Sequence, residues 1–261
     1  MTQSILRQIA VVITTVVTIA VNTLANALPI NGLTTGDVSA MYPVLFTPAG
    51  YVFSIWSVIY LGLIVFSVYQ ALPAQRDNPR FERIGWLYVL SGVLNSVWII
   101  LFHNLLIPAT LIVMVGLLLS LIAVYLRLGV GVKDVPTAEK WTTHIPFSIY
   151  LGWVTVATIT NTSVVLFDLG WNGFGLSAEF WTIALIGAAT LISLGVALTR
   201  GDAAYLFVPV WAFVGIAVAR DGITSIVSAA IVAAIIIAVM ALLSLVPKGP
   251  FPLTDRRRMP T

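Results

Sequence analysis

Eight long apolar runs divide this chain, near residues 6–28, 49–72, 82–103, 105–127, 143–166, 177–199, 203–219 and 223–246. At about 1.5 Å of rise per helical residue, such runs match a hydrocarbon layer about 30 Å thick. The composition leaves no soluble alternative. Of 261 residues, 59% are hydrophobic and 9% charged, where soluble domains carry about 25% charge. In lipid the backbone must satisfy its own hydrogen bonds, and runs of this length do so as helices. The expected fold class is therefore all-α, a polytopic membrane bundle of about eight transmembrane helices.

The basic residues orient the bundle. If the N-terminus is cytoplasmic, the inner loops and tails collect Arg7, Arg76, Arg80, Arg83, Arg127, Lys133, Lys140, Arg200, Lys248, Arg256, Arg257 and Arg258, and only Arg220 falls outside. This is a strong positive-inside bias, and it places both termini in the cytoplasm. Arg7, the first apolar run and Ala25-Asn26-Ala27 also mimic a signal peptide. The run is longer than a usual signal core, so a retained helix is expected. The arginines of the tail are expected to rest on anionic lipid headgroups; nucleic acid is not an expected partner.

The spans carry no Lys, Arg, Asp or Glu near their centres, whereas proton pumps, ion-coupled transporters and voltage sensors usually need intramembrane charge. All three lysines lie in loops or the tail, which excludes a retinal Schiff base. His103 and His144 fall at opposite membrane faces and cannot ligate one haem together. With no cysteine in the chain, disulfides, zinc–thiolate sites, iron–sulfur clusters and thiol nucleophiles are excluded.

Uncharged polar and aromatic residues occupy the interior instead. Asn22 and Asn26 are one turn apart on the first helix, as are Trp56 and Tyr60 on the second. Asn95 and Trp98 share the third. On the fifth, Trp153, Ala157 and Asn161 recur at intervals of four, with Tyr150 near the same face. The alternating helix directions bring these groups to similar depth, in the middle or outer half of the layer. An unpaired amide in hydrocarbon is costly, so they should face one another or a ligand. Interhelical packing bonds and a pocket for a flat, largely apolar ligand explain the pattern about equally well.

At these residues the sequence resembles the TspO family, the tryptophan-rich sensory proteins related to the mitochondrial translocator protein (peripheral benzodiazepine receptor). Tyr150-Leu151-Gly152-Trp153-Val154-Thr155-Val156-Ala157-Thr158-Ile159-Thr160-Asn161 looks like that family's Y-L-x-W-V-x-x-A-T-x-x-N. Leu94-Asn95-Ser96-Val97-Trp98-Ile99-Ile100-Leu101-Phe102 looks like its L-N-x-x-W-x-x-x-F, and Trp56 to Tyr60 resembles W-x-x-L-Y. Departures cluster before the second helix and at one position of the fifth. Tyr42-Pro43-Val44-Leu45-Phe46-Thr47-Pro48 replaces a W-x-P-P pattern, Phe53 and Trp56 stand one residue closer than usual, and Ile149 replaces a proline.

The resemblance implies a five-helix core over 1–166 with a ligand pocket between the helices, closed by the loop 29–48. It further implies tetrapyrroles (porphyrin or haem) or sterol-like lipids as ligands, and a homodimer. Carried over by motif, Trp56, Asn95, Trp98, Trp153, Ala157 and Asn161 become pocket residues, joined by Tyr60, Tyr150, Asn22 and Asn26 from the pattern above. Residues 167–246 are expected to form three further transmembrane helices, mainly as scaffold, with Ala230, Ala234 and Ala238 as a close-packing seam and Pro209 as a kink; 247–261 form a short basic cytoplasmic tail. The expected function is a membrane receptor or sensor for a small hydrophobic ligand, with no required cofactor. A membrane enzyme acting on a tetrapyrrole, isoprenoid or lipid is one alternative, with Asp37 or Asp168 as acid or base. A passive transporter of a neutral solute is the other.

Overall fold

A computed structural model describes residues 3–246; the basic tail predicted for 247–261 lies outside them. The long helices follow the apolar runs closely. They are α1 (Gln3–Ala27), α3 (Ile55–Ala71), α4 (Pro79–His103), α5 (Ile107–Leu128), α7 (Ile145–Asp168), α8 (Ala178–Arg200), α9 (Ala203–Ala219) and α10 (Thr224–Leu245). Two short helices, α2 (Thr35–Ala40) and α6 (Thr137–Glu139), sit in the connections. No strand occurs among the described residues. Seven membrane-crossing helices are long and apolar enough by themselves, the 3-10 turn Gly50–Ser54 completing α3. The eighth, α9, has 17 residues, which span about 25 Å at helical rise.

Local chemistry sets the helix ends. Asn78 caps α4 by accepting from Arg80 N, with Pro79 as the first helical residue. Ser177 caps α8 by accepting from Phe180 N. The outside of the bundle is apolar, with Ile13, Leu61, Leu119, Leu191 and Leu242 all exposed, as a lipid-facing surface requires. Among the buried charged groups, Glu139 forms a bidentate ion pair with Arg80 across the α4 and α6 ends, while Arg7 and Asp202 are held by hydrogen bonds to uncharged groups.

The contacts define two faces. One gathers the start of α1, the α3–α4, α5–α7 and α8–α9 connections and the end of α10: Arg7 Nη2 donates to Arg76 O, Gln8 Nε2 to Gln70 O, and Arg127 Nη1 to Arg83 O. The other gathers loop 28–54 and the turns at 104–106, 169–177 and 220–223. Between them α4 packs against α1 and α5, while α7 packs against α5, α3 and α9, and α9 lies along α10.

The last three helices are built into the core at close range. A Cβ on Gly152 of α7 would stand 3.0 Å from Tyr205 O and from Val208 Cβ, both on α9. On α10, Ile226, Ala230, Ala233, Ala234, Ile237 and Ala241 are buried, which extends the expected small-residue seam; Ala238 is only half-buried. Pro209 is buried inside α9, whose helical span continues through it.

Candidate functional site

Loop 28–54 folds over one end of the bundle. It opens with a 3-10 turn in which Asn31 takes φ 56°, and Asn31 Nδ2 donates to His103 O and Asn104 Oδ1 at the end of α4. A capping box starts α2: Thr34 accepts from Asp37 N, and the Asp37 carboxylate accepts from Thr34 N at 2.8 Å and Thr34 Oγ1 at 2.6 Å. Those hydrogen bonds, the hydroxyl's first, hold the Asp37 carboxyl below its ordinary pKa. Asp37 is thus occupied as a cap. Tyr42 packs edge-on against Phe167 at 6.3 Å, and burial, with Asp168 second, raises its phenol above the ordinary value.

The other half of the loop is held by α9. Arg220, at the C-terminal end of that helix, donates from Nε to Leu45 O and from Nη2 to Val44 O and Thr47 O. Ala49 N donates to Gly215 O, and Trp211 Nε1 to Val52 O. Gly215 is where the loop comes closest: a Cβ there would sit 2.1 Å from Val52 Cγ2. No sequence motif marks Trp211, Gly215 or the C-cap Arg220 as a site residue. Arg220 carried one signal, being the lone cation assigned to its face.

Beneath this loop lies a cavity of about 730 Å³. Trp56, Tyr60, Trp98, Asn22 and Asn26 line it, together with Tyr42 and Phe53 from the loop side and Arg220. Trp56 is the centre of the aromatic wall. Its ring stacks on Tyr60 at 5.4 Å and meets Tyr150 and Trp153 edge-on at 6.1 and 6.2 Å. The Trp56 indole N–H and the Tyr60 hydroxyl have no hydrogen-bond partner among the described residues, and both belong to side chains that line the cavity.

The other five expected residues sit behind the wall. Asn22 Nδ2 donates to Asn95 Oδ1 at 2.7 Å, and Asn95 Nδ2 donates to the Tyr150 hydroxyl at 3.0 Å. This string joins α1, α4 and α7. A second runs from Trp98 Nε1 to Asn161 Oδ1 at 3.3 Å and from Asn161 Nδ2 to Thr110 Oγ1 at 2.9 Å. Asn95, Tyr150, Asn161 and Trp153 are buried, Ala157 is half-buried, and none of the five lines the cavity. Trp153 Nε1 is buried without a partner among the described residues.

Neither histidine lines the cavity. His103 Nδ1 lies 2.9 Å from Ile99 O, with Nε2 near Thr35 Oγ1. His144 lies at the opposite face, beside a separate hollow of about 500 Å³ that also takes in Asp202, Lys133 and Lys140. Asp202 there accepts from Tyr125, Ser148 and Tyr205 N, and burial raises its pKa above the ordinary carboxylate value. No cluster of metal-ligating side chains occurs among the described residues.

Fold and interior together define an integral, multi-pass helical membrane protein organised around an aromatic and amide core. A family model described as TSPO-like protein matches residues 8–243, and the chain belongs to that family. The matched stretch extends past residue 166 and takes in α8–α10. No curated protein and no solved structure shows a significant match.

Proposed function

We propose that this protein is a membrane receptor that takes a flat, mainly apolar ligand, a tetrapyrrole or a sterol-like lipid, into the cavity under loop 28–54. One observation carries the reading: a cavity of about 730 Å³ walled by Trp56, Tyr60 and Trp98, with Asn22 and Asn26 at its side. That volume falls within the range of small-molecule sites, about 300–1,000 Å³. Aromatic faces suit a planar ring system, and the unpaired Trp56 N–H and Tyr60 hydroxyl offer donors to the few polar atoms such a ligand bears. The buried strings through Asn95 and Asn161 fix the wall rather than touch the ligand. A haem in this cavity would have no histidine beside its iron, so it would be held as a planar guest.

The face that bears Arg7, Arg83, Arg127 and Lys140 is read as cytoplasmic, which opens the cavity toward the other side. Lipids surround the apolar exterior, and the family resemblance carries a homodimer as an expectation. Titrating detergent-purified protein with protoporphyrin IX and haem, and following tryptophan fluorescence, tests the reading. Saturable quenching that weakens in Trp56→Phe and in Asn26→Ala is expected. Flat curves with every tetrapyrrole and sterol tried would discard it.

A further inference from the structure

Arg220 is the one charged residue that lines the cavity among the described residues. Its surroundings do not neutralise it, since no carboxylate of the described residues lies within 4.0 Å. A guanidinium has five N–H groups. Those on Nε and Nη2 go to the carbonyls of Val44, Leu45 and Thr47, while Nη1 makes no hydrogen bond among the described residues and is not fully buried, on a side chain that lines the cavity. The loop contacts therefore aim the side chain without saturating it. The C-terminal end of α9 adds a field that favours the cation staying there. Next to aromatic walls, poorly screened from its surroundings, such a charge attracts an oxyanion more strongly than it would in open water.

We propose that the ligand is an amphiphilic acid, with its apolar rings against Trp56 and Trp98 and a carboxylate paired with Arg220 at the cavity mouth. A single positive charge matches a monoanion; a phosphate dianion would leave one charge uncompensated among apolar groups. The proposal rests on the receptor reading above and narrows the ligand to a chemical class. It also gives α9 a part in recognition.

The test compares a tetrapyrrole bearing one carboxylate, pyropheophorbide a, with its methyl ester, on the detergent-purified full chain. The parent protein should bind the acid about tenfold more tightly than the ester, as a charge-assisted hydrogen bond implies. Arg220→Gln should bring that ratio to about one, because the lost loop contacts affect acid and ester alike while the lost charge affects only the acid, and Arg220→Lys should keep part of the preference. Equal affinity for acid and ester in the parent protein would overturn the proposal without touching the receptor reading. So would a loss in Arg220→Gln that weakens acid and ester by the same factor, the mark of a purely structural latch. If neither compound binds, the receptor reading fails and takes this inference with it. Should Arg220→Gln not fold, the acid-to-ester ratio of the parent and of Arg220→Lys still decides.

Discussion

Asn22 on α1 donates to Asn95 on α4 at 2.7 Å, and Asn95 in turn donates to Tyr150 on α7. With Asn95 and Tyr150 each 1% exposed, a lost partner leaves a polar group stranded. Asn95→Ala should lower unfolding stability by about 1–3 kcal/mol, and Tyr150→Phe by about 0.5–1.5 kcal/mol. Thermal unfolding in detergent checks both, and the double variant should lose less than the sum because the two share one bond.

Trp56 meets Tyr60, Tyr150 and Trp153 at once and faces the cavity. Trp56→Ala should weaken ligand binding by about tenfold or more, given about 0.5–1.5 kcal/mol for an aromatic contact beyond its buried area. Asn161→Ala, behind the wall, should change stability more than affinity. Calorimetric titration beside thermal unfolding separates the two effects, and the reverse pattern would mean the ligand lies deeper than the cavity.

Gly215 is set against the entry to α3 with no room for a methyl group. Gly215→Ala should destabilise the fold by about 1–3 kcal/mol through overpacking. Combining it with Val52→Ala, which removes the clashing Cγ2 atom, should recover much of that loss. Equal instability in the single and double variants would show that the close approach lies elsewhere.

The capping box of α2 gives a pH dependence of known sign. Hydrogen bonds from Thr34 depress the folded-state pKa of Asp37. The cap's contribution is therefore fully present above the ordinary carboxylate value and is lost as pH falls through the lower folded value. Amide-exchange protection of residues 37–41 should fall in that window. Asp37→Asn should show weaker protection with no step there.

The helices were legible because lipid allows little else. Run 203–219 coincides with α9 residue for residue, since Asp202 and Arg220 mark its ends. Entry to α3 was less clear: the apolar run begins near 49, but Gly50–Ser54 winds as a 3-10 turn before the α-helix starts at Ile55. The site divided along the same line. Spacing put Trp153, Ala157 and Asn161 on one face of α7, yet a helical period gives a face without saying what it meets. That face turned out to meet α3, α4 and α5 side chains rather than the open cavity. The grip of α9 on loop 28–54 joins residues more than 150 positions apart, and no local pattern reports such a pairing.

That grip has a consequence for how the protein is made. Every other wall of the cavity is complete once the chain has been synthesised to α7, but the carbonyls of Val44, Leu45 and Thr47 must wait for Arg220. A newborn chain thus inserts its first five long helices with the doorway unlatched, and the bolt arrives only with the penultimate one.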